Sequence, residues 1–392
     1  MTRPFSDLHV AVLMGGLSSE REVSLSSGKG CADALEGQVA RVSRVDAGRD
    51  LAQVLADLKP DVVFNALHGA WGEDGCVQGV LETLGIPYTH SGVLASALAM
   101  DKEKSKAVLK AAGVVVPGGG LFDRHAVAKG HVIPPPYVIK PNAEGSSVGV
   151  YLVREGEPPC AAPGEAGWVW GEQVMVEPFI AGKELAVTVL GERSGPRALT
   201  ITDITPTKGF YDYEAKYAPG GSVHVLPAVL PPHVFERALR ESELAHTAMG
   251  CRGVSRSDFR YDDVKDELVL LEVNTQPGMT PTSLSPEQAA HVGGSCLTLV
   301  ERLLGDKILE RLRAAQGGLA LRKTYGAQRL EAACARALAH DSPFYRTVKT
   351  ILSAGADRQP LAQAATPAGY ASPTRFTRPA AELFPPTPLQ LH

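Results

Sequence analysis

Short apolar segments alternate with amphipathic ones along the first part of the chain. In order they are an apolar run from His9 to Met14, a helical pattern from about Ser24, an apolar run from Val39 to Val45, a helical pattern over Leu51 to Leu58, and an apolar run from Asp61 to Leu67. Alternation of this kind is typical of a parallel sheet flanked by helices. The pattern therefore predicts an α/β domain over about residues 1–100.

A glycine pair follows the first predicted strand, in Gly15-Gly16-Leu17-Ser18-Ser19-Glu20. Glycines let a backbone approach a ligand closely, and the helix that follows presents free amide groups to an anion. The same residues suit an ordinary tight turn, in which acidic side chains favour the positive end of the helix. By itself, this turn is weak evidence for a binding site.

A lysine at the end of an apolar segment indicates contact with phosphate. Lys140 closes Tyr137-Val138-Ile139-Lys140 and precedes a Gly/Ser loop, so an ammonium group and loop donors could surround a triphosphate. A plain hairpin turn would have the same composition. Further along, Glu177 and Glu184 are placed to accept hydrogen bonds from adenine and ribose, and Phe179 to form an apolar wall.

Two side chains with oxygen ligands stand two residues apart in the apolar segment Leu270-Leu271-Glu272-Val273-Asn274. On a strand, that spacing puts both on one face. Asp258 adds a carboxylate from another apolar-flanked segment, and carboxylates together with substrate phosphates are typical ligands of Mg²⁺. The pattern indicates a nucleotide-metal site, although a strand with its polar side in water would also produce the Glu-x-Asn pair.

The composition is that of an ordinary globular protein. The chain has 392 residues, of which 44% are hydrophobic and 21% charged, enough for two or three domains with real cores. No apolar run approaches the length of a membrane span, and the N-terminus lacks the apolar region of a signal peptide. We therefore expect a cytoplasmic protein. The six cysteines are scattered without metal-ligand spacing, so neither zinc nor disulfides are expected.

The charge is unevenly distributed. The net charge is −4, but from Gly305 onward there are 12 Lys and Arg against 6 Asp and Glu, which leaves the tail at +6 and the rest at −10. Such a tail can face nucleic acid or can simply be solvated. Its pattern predicts helices over residues 308–324, 328–340 and 345–353, and the seven prolines after Gln359 predict disorder.

Ten short motifs stand in a defined order between Val10 and about Leu304. They are Gly15-Gly16-x-Ser18-x-Glu20-Arg21-Glu22-Val23-Ser24, Leu67-His68-Gly69, Gly72-Glu73-Asp74-Gly75, Tyr88-Thr89-His90-Ser91-Gly92, Met100-Asp101-Lys102, Lys140-Pro141, Glu144-Gly145-Ser146-Ser147, Phe210-Tyr211-Asp212-Tyr213-Glu214-Ala215-Lys216-Tyr217, Arg256-x-Asp258 and Glu272-Val273-Asn274-Thr275-Gln276-Pro277-Gly278-Met279-Thr280. In this order they resemble the ATP-grasp enzymes and, more closely, the D-alanine–D-alanine ligase family.

This resemblance implies a fold, a set of domains and an activity. The fold would be an α/β N-terminal substrate domain followed by a two-part α+β ATP-grasp domain, divided into about residues 101–186 and 187–304. In the implied reaction, ATP phosphorylates the carboxylate of one D-alanine, and the amine of a second D-alanine attacks the acyl phosphate, for peptidoglycan precursor synthesis. ATP and D-alanine would be the substrates, with Mg²⁺ or Mn²⁺ as cofactor. Family members are commonly homodimers with the N-terminal domain at the interface, and no membrane partner is expected.

The resemblance also implies a role for individual residues. Glu20, linked to Ser146 and Tyr217, would hold the ammonium group of the first substrate, with His68 beside it. The ATP site would be formed by Lys102, Lys140, Glu177, Phe179, Glu184 and Lys216, and the metal would bind to Asp258, Glu272 and Asn274. Arg256 and the Gly278 amide would stabilise the oxyanion, and Ser283 with the Leu284 amide would hold the carboxylate of the second substrate.

Each of these residues has an ordinary structural alternative. Lys102 and Lys216 could be surface lysines, Ser283 a helix cap, and Tyr217 a half-buried loop aromatic. His68 could be hydrogen-bonded structure at a strand end.

Two loop segments qualify the resemblance. Residues 207–224 include Lys216 and Tyr217 and would form a lid that excludes water from the acyl phosphate. Relatives that make D-alanyl-D-lactate usually depart from the Tyr-Glu-Ala-Lys-Tyr pattern found here at 213–217, so the dipeptide product is favoured over one with D-lactate or another second-site D-amino acid. The family commonly has Arg after His-Gly, whereas this chain has Ala70-Trp71, which puts local loop packing in doubt.

The tail, residues 305–392, has a different resemblance. Residues 329–338 and 345–352 resemble the C-terminal end of insertion-sequence transposases of the IstA kind, although no catalytic triad of acids accompanies them. This implies a mobile element that ran its frame into the last helix of a ligase, and a helical extension for partner binding is the alternative. A second functional hypothesis is an inactive fusion whose basic tail binds nucleic acid. The complete set of site residues favours the ligase, so nucleic acid is not the expected partner.

Overall fold

The structure is a computed structural model that describes residues 4–145, 149–192, 195–207, 221–280, 282–291, 321, 324–339 and 345–358. Its N-terminal part is built on a three-stranded parallel sheet with the order β2-β1-β3, formed by β1 (His9–Met14), β2 (Arg41–Asp46) and β3 (Val62–Asn65). Val10 to Met14 are all buried, as expected for a central strand covered on both faces. The predicted parallel sheet is confirmed, although β3 ends at Asn65 and not at Leu67.

Four helices accompany this sheet, and a short 3₁₀ turn (Phe5–Asp7) precedes it. They are α1 (Arg21–Leu35), α2 (Leu51–Leu58), α3 (Cys76–Leu84) and α4 (Val93–Met100). The helix α1 begins earlier than the predicted Ser24, whereas α2 has the predicted bounds. Leu51 and Leu55 of α2 and Val77 and Leu81 of α3 pack on Leu13 in one apolar cluster. The loops at the carboxyl ends of the strands therefore sit on a packed support.

A four-stranded antiparallel sheet follows in the order β4-β7-β5-β6. It contains β4 (Gly120–Asp123), β5 (Tyr137–Lys140), β6 (Tyr151–Val153) and β7 (Gln173–Pro178), and it is preceded by α5 (Lys102–Ala111) and accompanied by α6 (Arg124–Lys129) and a 3₁₀ turn (Ala162–Gly164). The side chain of Asp101 accepts a hydrogen bond from the Lys104 amide, which caps α5 at its N-terminus. The helix therefore begins at Lys102, directly after the Asp101 cap.

The third sheet is antiparallel and five-stranded, in the order β10-β9-β8-β11-β12. Its strands are β8 (Lys183–Glu192), β9 (Gly195–Pro206), β10 (Ser222–Val225), β11 (Val254–Asp262) and β12 (Glu267–Asn274), and the helices with it are α7 (Pro232–Ala248) and α8 (Leu284–His291). Leu185, Ile201, Phe259 and Leu270 are fully buried in its core. This core and the pairing of the two strands fix the positions of the polar residues on β11 and β12. The predicted boundaries near residues 100, 186 and 304 stay predictions.

The described part of the tail forms a small helical unit with α9 (Ala327–Ala339), α10 (Tyr345–Ala354) and a 3₁₀ turn (Ala356–Arg358). Leu330, Cys334 and Val348 belong to an apolar cluster whose members, among the described residues, all come from the tail. Arg329 forms two hydrogen bonds with Asp357, at 2.7 and 2.9 Å. The predicted second and third tail helices are present, whereas most of the predicted first helix and the segment after Gln359 lie outside the described residues. No described helix is long and apolar enough to cross a membrane.

Candidate active site

A first cavity lies between the four-stranded and five-stranded sheets. Its lining brings together five predicted ATP-binding residues, namely Lys102, Lys140, Glu177, Phe179 and Glu184, with Asp258 and Glu272. Lys140 and Glu177 lie on neighbouring strands, and the Lys140 Nζ is 2.8 Å from Glu177 Oε2. Lys102 donates to the carbonyl oxygen of Glu144 at 2.5 Å, and its Nζ lies 3.8 Å from Glu272 Oε2. Lys216 lies outside the described residues.

One end of this cavity has an aromatic wall. The guanidinium carbon of Arg260 lies 5.5 Å from the ring centroid of Phe179. Arg260 also donates to the carbonyl oxygen of Ile180 at 3.0 Å, and its Nη1 is 3.2 Å from Glu184 Oε2. A planar base would therefore meet an apolar ring next to a fixed cation, with a carboxylate within reach of polar groups on the ligand.

The three predicted metal ligands lie on two adjacent strands, with Asp258 in the middle of β11 and Glu272 and Asn274 near the end of β12. Asp258 on β11 is the cross-strand partner of Glu272 on β12, and Asn274 Nδ2 donates to Asp258 Oδ2 at 3.1 Å. Between Asp258 and Phe259 the register shifts, so Leu271 is the extra residue of a bulge. Leu271 and Glu272 consequently both line the first cavity, which regular alternation would not allow.

Arg256 and Asp258 form a bidentate pair in this structure. Arg256 Nε donates to Asp258 Oδ1 and Arg256 Nη2 donates to Oδ2, each at 2.7 Å. The donor set of two carboxylates and one amide oxygen fits a hard divalent cation such as Mg²⁺ or Mn²⁺. A cation bound to Asp258 would have to displace Arg256, which would leave the guanidinium group available to another oxygen ligand.

A second cavity adjoins the first and contains the predicted substrate residues. It is lined by Glu20, His68, Arg256, Gly278, Ser283 and Leu284, together with Glu73, Gly145, Glu272 and Asn274. Glu20 is buried immediately before α1. A Cβ at Gly145 would lie 2.7 Å from Glu20 Oε1, so a side chain at this position would displace the Glu20 carboxylate. The predicted Ser146 and Tyr217 lie outside the described residues.

The loop before α8 forms the far side of the second cavity. The hydroxyl group of Ser283 accepts a hydrogen bond from the Thr280 amide at 3.0 Å and contacts the Thr280 hydroxyl at 2.8 Å. The Leu284 amide lies at the first position of α8, where backbone N–H groups lack partners within the helix. This geometry places a hydroxyl group and a helix N-terminus together, which suits a carboxylate ligand.

Buried amide side chains join this loop to the N-terminal sheet. Asn65 Nδ2 donates to Gln276 Oε1 at 2.9 Å and to the carbonyl oxygen of Gly72 at 3.0 Å. Gln276 in turn donates to the carbonyl oxygen of Leu67. Buried hydrogen bonds therefore hold the loop with Gln276 against the N-terminal sheet.

Comparison with known proteins identifies the family of this chain. A family model described as D-ala D-ala ligase C-terminus matches residues 126–305, and one described as D-ala D-ala ligase N-terminus matches residues 44–91. A D-alanine–D-alanine ligase from Caulobacter vibrioides is 71% identical over 291 residues, which is 74% of this chain and 90% of that protein. One from Caulobacter sp. is 66% identical over 322 residues, 81% of this chain and 98% of that protein. The chain belongs to the D-alanine–D-alanine ligase family.

A solved structure of a member of this ligase family has the same fold. The D-alanine–D-alanine ligase from Bacillus anthracis in complex with ATP superposes with a TM-score of 0.60 at 27% identity, covering 81% of this chain and 99% of that chain. The predicted ATP-grasp fold is therefore confirmed, and the family uses ATP.

The structure adds to the ligase site a carboxylate that was not among the predicted site residues. Glu73 lines the second cavity and accepts a hydrogen bond from the Gly69 amide at 2.5 Å. Its removal from water and the nearby Glu20 carboxylate raise the pKa of Glu73 to about 8. Glu73 stands in one of the ten motifs, but only the fold brings it to Glu20.

Two cations at the nucleotide side of the ligase were also missed. Arg260 lies two residues after Asp258 on β11, and this spacing on one strand face was its sequence signal. Lys106 stands one turn after Lys102 on α5, and both ammonium groups are buried. The i, i+4 spacing was the available signal, since residues four apart share a helix face.

His68 keeps both of its interpretations. Its Nε2 lies 3.1 Å from the Ser27 hydroxyl and its carbonyl oxygen accepts from Ser18 at 2.6 Å, which are structural contacts. It also lines the second cavity. Burial, and next to it the charge of Arg256, lowers the pKa of His68 to about 4, so the imidazole is neutral near pH 7 and can serve as a hydrogen-bonding group only.

Proposed function

We propose that this ligase joins two D-alanine molecules at the expense of ATP, through a D-alanyl phosphate, to supply the dipeptide for peptidoglycan precursors. The observation that carries the proposal is that the two cavities share a wall. Glu272 and Gly145 line both of them. A triphosphate in the first cavity would therefore end next to a substrate carboxylate in the second. Phosphoryl transfer needs this adjacency, because its catalysis is mainly positioning and charge neutralisation.

In the first step, Glu20 would hold the ammonium group of the first D-alanine, which turns its carboxylate towards the shared wall. Glu73 lies beside this position. Lys102 and Lys140 would neutralise the triphosphate while the substrate carboxylate attacks the terminal phosphorus, forming D-alanyl phosphate and ADP. Outside the described residues, Lys216 is proposed to join these lysines, and Ser146 and Tyr217 to hold Glu20.

We propose that Asp258, Glu272 and Asn274 hold Mg²⁺ or Mn²⁺, which would neutralise the charge of the transferring phosphoryl group. Asp258 and Glu272 are cross-strand partners with oxygen donors that suit such an ion. Removal of divalent cations with a chelator should abolish ADP formation, and either cation should restore it. Asp258→Asn should raise the cation concentration needed for half-maximal rate, and an unchanged requirement would contradict this ligand set.

In the second step, the amine of the second D-alanine attacks the acyl phosphate and an oxyanion develops on the former carboxylate. Arg256 and the Gly278 amide line the same cavity and are proposed to stabilise this charge. Collapse of the tetrahedral intermediate releases phosphate and leaves the new amide bond. The second carboxylate would lie against the Ser283 hydroxyl and the Leu284 amide, which orients the amine towards the acyl carbon.

The test is phosphate release from ATP and Mg²⁺ with D-alanine, with L-alanine and D-alanine plus D-lactate as comparisons. We expect phosphate release with D-alanine but not with L-alanine. Mass spectrometry should identify the dipeptide as the product. Lys140→Met should abolish release, whereas Lys110→Met, an exposed change on α5, should leave it intact. No release from a folded protein that binds ATP would refute the proposal, and depsipeptide formation with D-lactate would refute the dipeptide product.

We propose that the tail is a transposase-like extension that the ligase does not need. Its apolar cluster and the Arg329–Asp357 pair are internal to the tail. Deletion of residues 305–392 should leave kcat and KM for D-alanine unchanged or improved. A clear loss of activity in a folded protein would contradict this. A salt-sensitive affinity for DNA that disappears on deletion would support instead a nucleic-acid-binding tail.

We also propose that the ligase is a homodimer with the N-terminal domain at its interface. Sedimentation velocity over a range of protein concentrations tests this directly. A monomer at all concentrations would contradict the proposal.

A further inference from the structure

Lys106 and Lys140 approach the same buried carboxylate from different elements. Lys106 is on α5 and its Nζ contacts Glu177 Oε1, whereas Lys140 is on β5 and its Nζ lies 2.8 Å from Glu177 Oε2. All three side chains are buried. Each carboxylate oxygen of Glu177 therefore faces one lysine nitrogen, and Glu177 connects the helix to the strand.

This arrangement changes the interpretation of Glu177. From the sequence, its carboxylate was expected to accept hydrogen bonds from adenine. In the structure its two oxygens face lysines, so the carboxylate acts first on the cations of the site. The aromatic wall that would receive a base is formed by Phe179, two residues after Glu177, together with Arg260.

Counted together with Lys106, the charged group around it holds three lysines and two carboxylates. Lys102 and Lys140 surround it, with Glu177 in contact and Glu272 further away. Burial, followed by the charges of Lys140 and Lys102, lowers the pKa of Lys106 to about 6. A bound triphosphate would supply the missing negative charge, because it would lie on the side of Lys102 and Lys140. The site is therefore electrostatically completed by its anionic ligand.

We propose that Lys106 is a positioning residue of the nucleotide site, which holds Glu177 so that Glu177 orients Lys140 towards the phosphates of ATP. This inference rests on the proposed ATP site. Lys106 makes its contact through Glu177, and the lining of the first cavity does not include it. Loss of the Lys106 side chain should therefore weaken ATP binding without affecting the second cavity, where D-alanine would bind.

The experiment compares Lys106→Met, Lys106→Arg and the control Lys110→Met. Lys110 is exposed on the same helix, one turn after Lys106, so the control removes a cation from α5 without touching Glu177. For Lys106→Met we expect the ATP dissociation constant to rise by roughly tenfold or more, as is common when a member of a coupled charge network is removed. KM for D-alanine should change less than about twofold, since interactions outside the substrate cavity are lost. Lys106→Arg should recover part of the affinity, and Lys110→Met should match the wild type.

Melting temperatures measured without ATP separate this role from a purely structural one. If Lys106→Met lowers the melting temperature but leaves the ATP dissociation constant unchanged, the inference is wrong. The inference is also wrong if Lys106→Met weakens ATP binding as much in a Glu177→Gln background as in the wild type, because the effect must pass through Glu177. Should Lys106→Met fail to fold, Lys106→Gln is measured with the same criteria. Failure of the wild type itself to bind ATP would refute the proposed function and not the role of Lys106 alone.

Discussion

His90 is a buried histidine that makes the N-terminal part of the ligase sensitive to acid. Its side chain is 6% exposed and its Nδ1 has no hydrogen-bond partner among the described residues. Burial, and next to it the neighbouring His68, lowers the pKa of His90 from 6.5 to about 4. Protonation would leave a charged donor without an acceptor. The neutral form therefore contributes stability above pH 6.5 that is lost as the pH falls towards 4.

The size of this effect follows from the pKa change. One pKa unit corresponds to ~1.4 kcal/mol, so a fall from 6.5 to about 4 costs ~3 kcal/mol when fully expressed and ~2.5 kcal/mol at pH 4.5. His90→Asn removes the titrating group and suits the backbone, because φ at this position is 69° and asparagine tolerates that region. The variant also loses an edge contact to Phe64, with ring centroids 5.6 Å apart, which costs ~1 kcal/mol at neutral pH.

Urea unfolding at pH 7.5 and 4.5, followed by circular dichroism, tests this prediction. The free energy of unfolding of His90→Asn should fall by ~2.5 kcal/mol less than that of the wild type between the two pH values. His233→Asn, at a side chain that is 63% exposed, controls for replacing a histidine. The reasoning is refuted if the wild type and His90→Asn lose the same free energy over this interval.

Four further substitutions test the site and its support. Arg256→Met should lower kcat by ~10²- to 10³-fold with ATP affinity retained, since an oxyanion donor acts in the transition state; an equal loss of ATP affinity in a binding titration would contradict that role. Gly182→Ala should cost ~2 kcal/mol or more in thermal unfolding, because φ is 87° and a Cβ would overlap the carbonyl oxygen of Tyr261. Gly79→Ala, with open space around it in α3, should instead stabilise by ~1 kcal/mol. Gln276→Leu should cost ~2 kcal/mol and raise KM for D-alanine more than KM for ATP; equal changes in both would contradict its role at the substrate cavity.

Local patterns were sufficient for the secondary structure near the site. The apolar run from His9 to Met14 predicted β1, and the amphipathic pattern over Leu51 to Leu58 predicted α2. The spacing of Glu272 and Asn274 predicted a common strand face, which β12 has. These features depend on residues a few positions apart, so the sequence contains the information directly.

The charged side chains that face each other in the fold could not be predicted from local sequence patterns. Lys106 meets Glu177, and Glu73 lies beside Glu20, across long stretches of chain. Strand register and helix packing decide these pairs, and no local periodicity encodes them. The bulge at Leu271 is of the same kind, since it appears only when β12 is paired with β11.

Motifs along the chain were enough to predict the family and its ATP-grasp fold, and they supplied the candidate site residues, because motifs depend only on residue types and their order. Folding was needed to bring particular charges into one cavity. It pairs Arg256 with Asp258 and places Glu177 against two lysines. The physical reason is that burial makes each charge depend on its neighbours in space.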